Sequence, residues 1–257
     1  LSPLPPIPLL PPINMSQDLN TSTATFLESA TEPGPDPWLP SLLQCNDSSY
    51  PVGVFAHSFG LEAMVQCGSV SDPDSLLGFL EGPVGHGLAQ VDLPLLAHAR
   101  DAADHGDEGE LVRLDYLSSA CRAPFELREA ASRIGRQRME ILRSVWSRHF
   151  NVPVLDLPCE QAPVVAGIEA HVLGVPKDNA MLAYAHGAFA AVLSAAVKLL
   201  RLGQTTVQQL LLECGLSLQS LIQTADKVSL EDLGSFAPLL DTSSMRHERC
   251  PARLFLS

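Results

Sequence analysis

From Ser41 onward the apolar positions recur at helical spacing nearly throughout, and no stretch of any length alternates as a strand would. Leu61, Met64 and Val65 share a face that ends at Gly68. Asp72-Pro73 then places a capping side chain ahead of proline at the first helical position, which predicts a helix running into LLGFLEG. Another helix is expected over 88–103. Between it and the next lies the acidic run 101–110 around Gly106 and Gly109, read as a solvated turn. The clearest amphipathic segment is 125–150. Leu127, Ala131, Ile134, Ile141 and Val145 form its apolar stripe, with Glu129 and Arg133 paired across one turn. The run 180–197 is uncharged but built on alanine with Tyr184, His186, Gly187 and Ser194, so it reads as a buried central helix with close neighbours rather than a membrane span. GQTTVQQLLLECG predicts a turn and a capped helix, and 220–240 supplies one or two more. The fold class that follows is all-α: one helical domain of roughly eight to ten helices over 41–257.

The first forty residues differ. LSPLPPIPLLPPIN is proline-rich, with no basic region leading into an uninterrupted apolar core, and the polar stretch to Pro40 has little to bury. A disordered lead-in at 1–40 is expected, dispensable for the fold.

Composition narrows the function. With 46% hydrophobic and 18% charged residues the chain is globular, and a net charge of −13 with 5% aromatics disfavours nucleic-acid binding. Six cysteines lie far apart with no C-x-x-C pair, which favours reduced thiols and a cytoplasmic setting over a disulfide framework. The stretch 122–148 carries seven arginines against three acids, read as surface solvation and intramolecular pairing ahead of a docking site for an acidic partner. His105 beside Asp107 and Glu108 lacks a defined metal-ligand spacing.

Two segments carry unusual chemistry. PVGVFAHSFGLE at 51–62 combines Gly53, Phe55, His57, Ser58, Phe59 and Glu62, and MRHERCPARLFLS at 245–257 ends the chain. Ser58 can cap a helix whose first turn carries Glu62. AHSFG at 56–60 is a near miss to a hydrolase nucleophile elbow, with Asp241 and His247 following in the usual order. That fold needs several strands before the serine, and only about fifty largely proline-rich and polar residues precede it. Nickel ligation by His57 and His247 suits imidazole but makes an incomplete site, so structural or interfacial roles are favoured.

Both segments resemble the signature ends of the urease accessory protein UreF family. ELREAASRIGRQ at 126–137, PVVAG at 163–167 and SAAVKLLRLGQT at 194–205 are similar to its internal blocks. Val54 departs where a second glycine is usual, Gln161 where histidine is common, Lys198 where arginine is usual, and Cys250-Pro251 interrupts the tail. The resemblance implies a non-catalytic helical dimer that binds UreD (also called UreH) and recruits the GTPase UreG to apo-urease. Nickel would be handled by the complex, with no cofactor held stably by this chain. No P-loop sequence G-x-x-x-x-G-K-[ST] occurs. The residues carried over as partner-binding are Gly53, Phe55, His57, Ser58 and Glu62, then Lys198 and Gln204, then Arg246, His247, Glu248, Arg253, Leu254, Phe255 and Ser257. The tail from Ser243 mixes charges with an apolar end. It is expected to be loosely held until a partner accepts Phe255 as an anchor.

Overall fold

The computed structural model describes residues 36–247 and 254–255. It is all-α, with no strand among the described residues. In chain order the helices are α1 (Leu39–Cys45), α2 (Leu61–Gln66), α3 (Pro73–Phe79), α4 (Leu93–His105), α5 (Glu108–Ala120), α6 (Phe125–Ser144), α7 (Ala162–Val172), α8 (Lys177–Leu199), α9 (Gln204–Ala225) and α10 (Pro238–His247). The lead-in expected at 1–40 lies outside the described residues, apart from its last few.

Local chemistry is clearest at the start of α3. Asp72 accepts the N–H of Ser75 at 2.9 Å while Ser75 Oγ accepts the N–H of Asp72 at 3.1 Å, a reciprocal cap ahead of Pro73. From Pro73 the chain stays helical to His105 through two wide π turns, Leu80–Val84 and Leu88–Asp92. Pro83 sits in the first, where the looser turn accommodates a residue that has no N–H to give.

The core is built where α4 meets α7, the largest helix–helix contact. Gly167 makes that contact possible, because a Cβ there would lie 2.4 Å from the Leu96 carbonyl oxygen and 2.8 Å from the Arg100 nitrogen. Gly135 on α6 does the same against the loop before α7; its Cβ would fall 1.8 Å from the Glu160 carbonyl oxygen. These are the glycines of PVVAG and SRIGR, and each marks backbone touching backbone. The loop is gripped from the other side by Asp115 on α5, fully buried, whose carboxylate accepts the N–H groups of Cys159, Glu160 and Gln161 at 2.6, 3.0 and 2.7 Å. One buried anion thus satisfies donors that the start of α7 would otherwise leave unpaired.

Beneath α1, Arg138 and Glu169 form a buried ion pair with side-chain exposures of 11% and 4%. Tyr50 donates to Glu169 at 2.7 Å and accepts from Trp146 Nε1 at 3.0 Å. Removing one member would strand a buried charge. The helix α8 has the length and apolarity to cross a membrane, but it packs Met181, Ala185, Phe189 and 191–193 into the protein core.

Several expectations need correction. The acidic run 101–110 is mostly helix ends: α4 continues to His105, Gly106 closes it, and Asp107 caps α5 by accepting the Glu110 N–H. The buried face of α6 is Ala130, Ala131, Ile134, Gly135, Met139 and Leu142, while Val145 lies past the helix and is 45% exposed. Ala131 and Ile134 lie on the buried face as expected, Leu127 and Ile141 are half-buried at its margin, and Gly135 joins it where backbone meets backbone. The helix α9 runs through Gly215 to Ala225, its apolar face continuing where glycine suggested a stop. Glu129 and Arg133 do pair, at 3.3 Å. The arginines of 122–148 are largely used internally: Arg122 binds Asp92, Arg136 binds Glu160, Arg138 binds Glu169, and Arg128 and Arg143 reach backbone carbonyls. The five described cysteines are all free thiols.

Candidate functional site

The first signature segment turns sharply twice before α2. Gly53 takes φ +75° and starts a 3₁₀ turn, Val54–Ala56, so the left-handed residue is Gly53 and Val54 sits in an ordinary helical conformation. The backbone at Val54 therefore requires no second glycine. The chain then drives His57 and Ser58 inward, at 3% and 0% exposure. Phe59 and Gly60 follow with φ +51° and +83°. Ser58 Oγ accepts the Glu62 N–H at 3.3 Å and its carbonyl accepts the Leu61 N–H at 3.0 Å, so Ser58 serves the start of α2 although Gly60 holds the cap position. Burial lowers the His57 pKa, with Arg133 adding to the effect, so the site favours the neutral imidazole. Phe55 is 39% exposed and lines an apolar cleft of about 250 Å³ with Tyr50, Phe59, Tyr184 and Leu240.

The C-terminal helix α10 lies against this turn. Leu240 Cδ1 stands 2.4 Å from where a Cβ on Gly60 would be, and Ser243 Oγ donates to Cys67 Sγ at 3.9 Å. The polarity of α10 is inverted. It buries Ser243 and Ser244 and exposes Leu239 (54%), Met245 (45%) and Arg246. Leu239, Thr242, Met245 and Arg246 share one face at helical spacing, so this outward stripe is contiguous.

Beyond α10, the described pair Leu254 and Phe255 returns to the first signature. The carboxylate of Glu62, itself 3% exposed, accepts the N–H of Leu254 at 2.9 Å and that of Phe255 at 3.0 Å, one on each oxygen. The Phe255 ring enters the core at 8% exposure, with Lys198 Nζ from the last turn of α8 5.7 Å from its centroid. Leu254 points outward at 72%. Segments almost two hundred residues apart therefore form one surface.

Of the carried-over residues, Ser58, Glu62, Lys198, Leu254 and Phe255 come together. Gly53 and Phe55 lie on the other side of the 3₁₀ turn, toward the cleft. Gln204 is exposed at the first position of α9 and lines a groove with Lys198, Ser194 and Gln208. The backbone of His247 ends α10; its side chain, with Glu248, Arg253 and Ser257, lies outside the described residues. The expectation that a partner accepts Phe255 as an anchor is corrected: the ring is packed into this chain, and the outward residue is its neighbour Leu254. Nor does Ser58 stand on a nucleophile elbow. It follows a 3₁₀ turn rather than a strand and its hydroxyl is buried.

Sequence reasoning missed the inverted face of α10 and the ion pair under Tyr50. For the second a signal was present: Glu169 is a lone charge in the apolar stretch APVVAGIEAHV, which only a buried cation would neutralise.

The UreF family model matches residues 70–215, from the approach to α3 to the middle of α9. The chain belongs to the UreF family. Among curated relatives, the urease accessory protein UreF of Xanthobacter autotrophicus is 34% identical over 81% of this chain and 87% of its own. That of Chromohalobacter salexigens is 34% identical over 85% and 94%, and that of Trichodesmium erythraeum 29% over 84% and 95%. Within this UreF fold, both signature segments lie outside the span matched by the family model.

Proposed function

We propose that this chain is a urease accessory protein acting as a non-catalytic scaffold: it binds UreD and, through that complex, brings the GTPase UreG to apo-urease for nickel insertion. It works as a homodimer, nickel is cargo of the assembly rather than a resident cofactor, and GTP is hydrolysed in UreG. The observation that carries this reading is the inverted helix α10. A helix that packs Leu240 and two serines inward while turning Leu239 and Met245 outward beside Arg246 offers an apolar stripe that a second protein can cover. Leu254 extends that outward apolar surface from the clamped end of the chain.

The test is capture of UreD by the tagged, full-length chain. Stoichiometric co-purification, and complementation of a UreF-deficient strain for urease activity, are expected. Failure to capture UreD at micromolar concentrations overturns the assignment of this surface. Labelling of Ser58 by a serine-directed fluorophosphonate would overturn the non-catalytic reading.

A further inference from the structure

We infer that Glu62 is a positioning residue for the docking surface, a carboxylate clamp that fixes the C-terminal Leu254–Phe255 pair so that Phe255 is driven inward and Leu254 is presented outward. This rests on the docking reading above. The geometry is specific. In an extended strand successive N–H groups point to opposite sides, so two neighbouring N–H groups can reach one carboxylate only where the backbone is bent into a concave nest. Leu254 and Phe255 form such a bend, and their side chains diverge to 72% and 8% exposure. A carboxylate is the right receptor because it offers an acceptor oxygen to each donor and strengthens both bonds with its charge. Lys198 secures the same arrangement from α8, its ammonium set toward the face of the Phe255 ring.

Glutamine at this position would keep one oxygen but turn an NH₂ group against the second N–H. Aspartate would be too short to serve both donors from the same backbone. Either change should loosen the pair while leaving the helices intact.

The experiment measures amide hydrogen exchange and UreD affinity in the full-length protein. Glu62→Gln is expected to speed exchange at Leu254 and Phe255 by tenfold or more and to weaken UreD binding by tenfold or more, with α4 and α7 exchanging as in the unmodified protein. Should Glu62→Gln misfold, Leu254→Pro removes one of the two clamped N–H groups directly. Leu254→Ala, which keeps the N–H, controls for the lost side chain, and only the proline variant should accelerate exchange at Phe255. Unchanged exchange in either clamp variant overturns the clamp. Faster exchange with unchanged UreD affinity overturns its positioning role. If the unmodified protein does not bind UreD while the exchange contrast persists, the docking reading has failed and the positioning role falls with it, though the clamp itself stands.

Discussion

Two carboxylates in this protein do the same work in opposite surroundings. Asp115 grips the N–H groups of Cys159, Glu160 and Gln161 inside the helical core, where the loop is also pressed against Gly135. Glu62 grips the N–H groups of Leu254 and Phe255 at the edge of the fold, beside side chains left in water. Every neighbour of the first clamp is committed to the fold, so its loss is paid in stability. The second holds a short piece of chain that packs Phe255 inward and turns Leu254 to solvent, so its loss should appear in binding with a smaller cost in stability. The same chemistry can lock a core or present a surface; the difference lies in what the gripped residues do next.

The largest effect is expected at the core clamp. Gly135→Ala would drive a methyl group into the Glu160 carbonyl, a backbone atom that cannot swing aside, and cooperative unfolding should be lost or its midpoint lowered by more than about 10 °C. Asp115→Ala, which leaves one buried and two part-buried N–H groups without this acceptor, should cost on the order of 3–5 kcal/mol in urea unfolding. A loss below about 1 kcal/mol would erase the contrast between the two clamps.

How far the sequence revealed this arrangement depended on the range of the interaction. Asp72-Pro73 foretold its helix because a cap is decided within four residues. The all-α class and the buried character of α8 were also readable, since hydrophobic period and alanine content act locally. Gly135 and Gly167 could be picked out as parts of motifs, but their task is set by Glu160, Leu96 and Arg100, which approach from elsewhere in the fold. Glu62 was singled out for the first turn of α2, where it does sit, yet its partners lie 192 and 193 residues away and nothing in the local pattern names them. The same holds for Phe255, an apolar residue in a charged tail that looked in need of another protein and found its own core.

A smaller effect sharpens the surface half of the comparison. Lys198→Ala should weaken the hold on Phe255 by about 0.5–1 kcal/mol, the range for a partly exposed cation over an aromatic ring, while Lys198→Arg should preserve it. Amide exchange at Phe255 reads both. Equal loss in the two variants would mean that the lysine acts through something other than its charge above the ring.

The smallest perturbation is chemical. Cys67, exposed at the end of α2, has its pKa lowered mainly by a hydrogen bond with Ser69, whereas burial pushes Cys45 up to about 12 and Cys214 up to about 11. Among the described cysteines, iodoacetamide at pH 8 should therefore modify Cys67 first and leave Cys45 and Cys214 unmodified until the protein unfolds. Early labelling of Cys45 would show that the region around the Arg138–Glu169 pair opens more readily than its packing implies.

The most direct test of the central claim is the affinity of UreD for a variant altered only on the outward face of α10. Leu239→Asp combined with Met245→Asp changes two exposed side chains and leaves Leu240, Ser243 and Ser244 in place, so the melting temperature should stay within about 2 °C of the unmodified protein. The affinity for UreD, measured by isothermal titration calorimetry, should fall by at least a hundredfold. Undiminished UreD binding by that folded double variant would contradict the claim that the inverted helix is the docking surface.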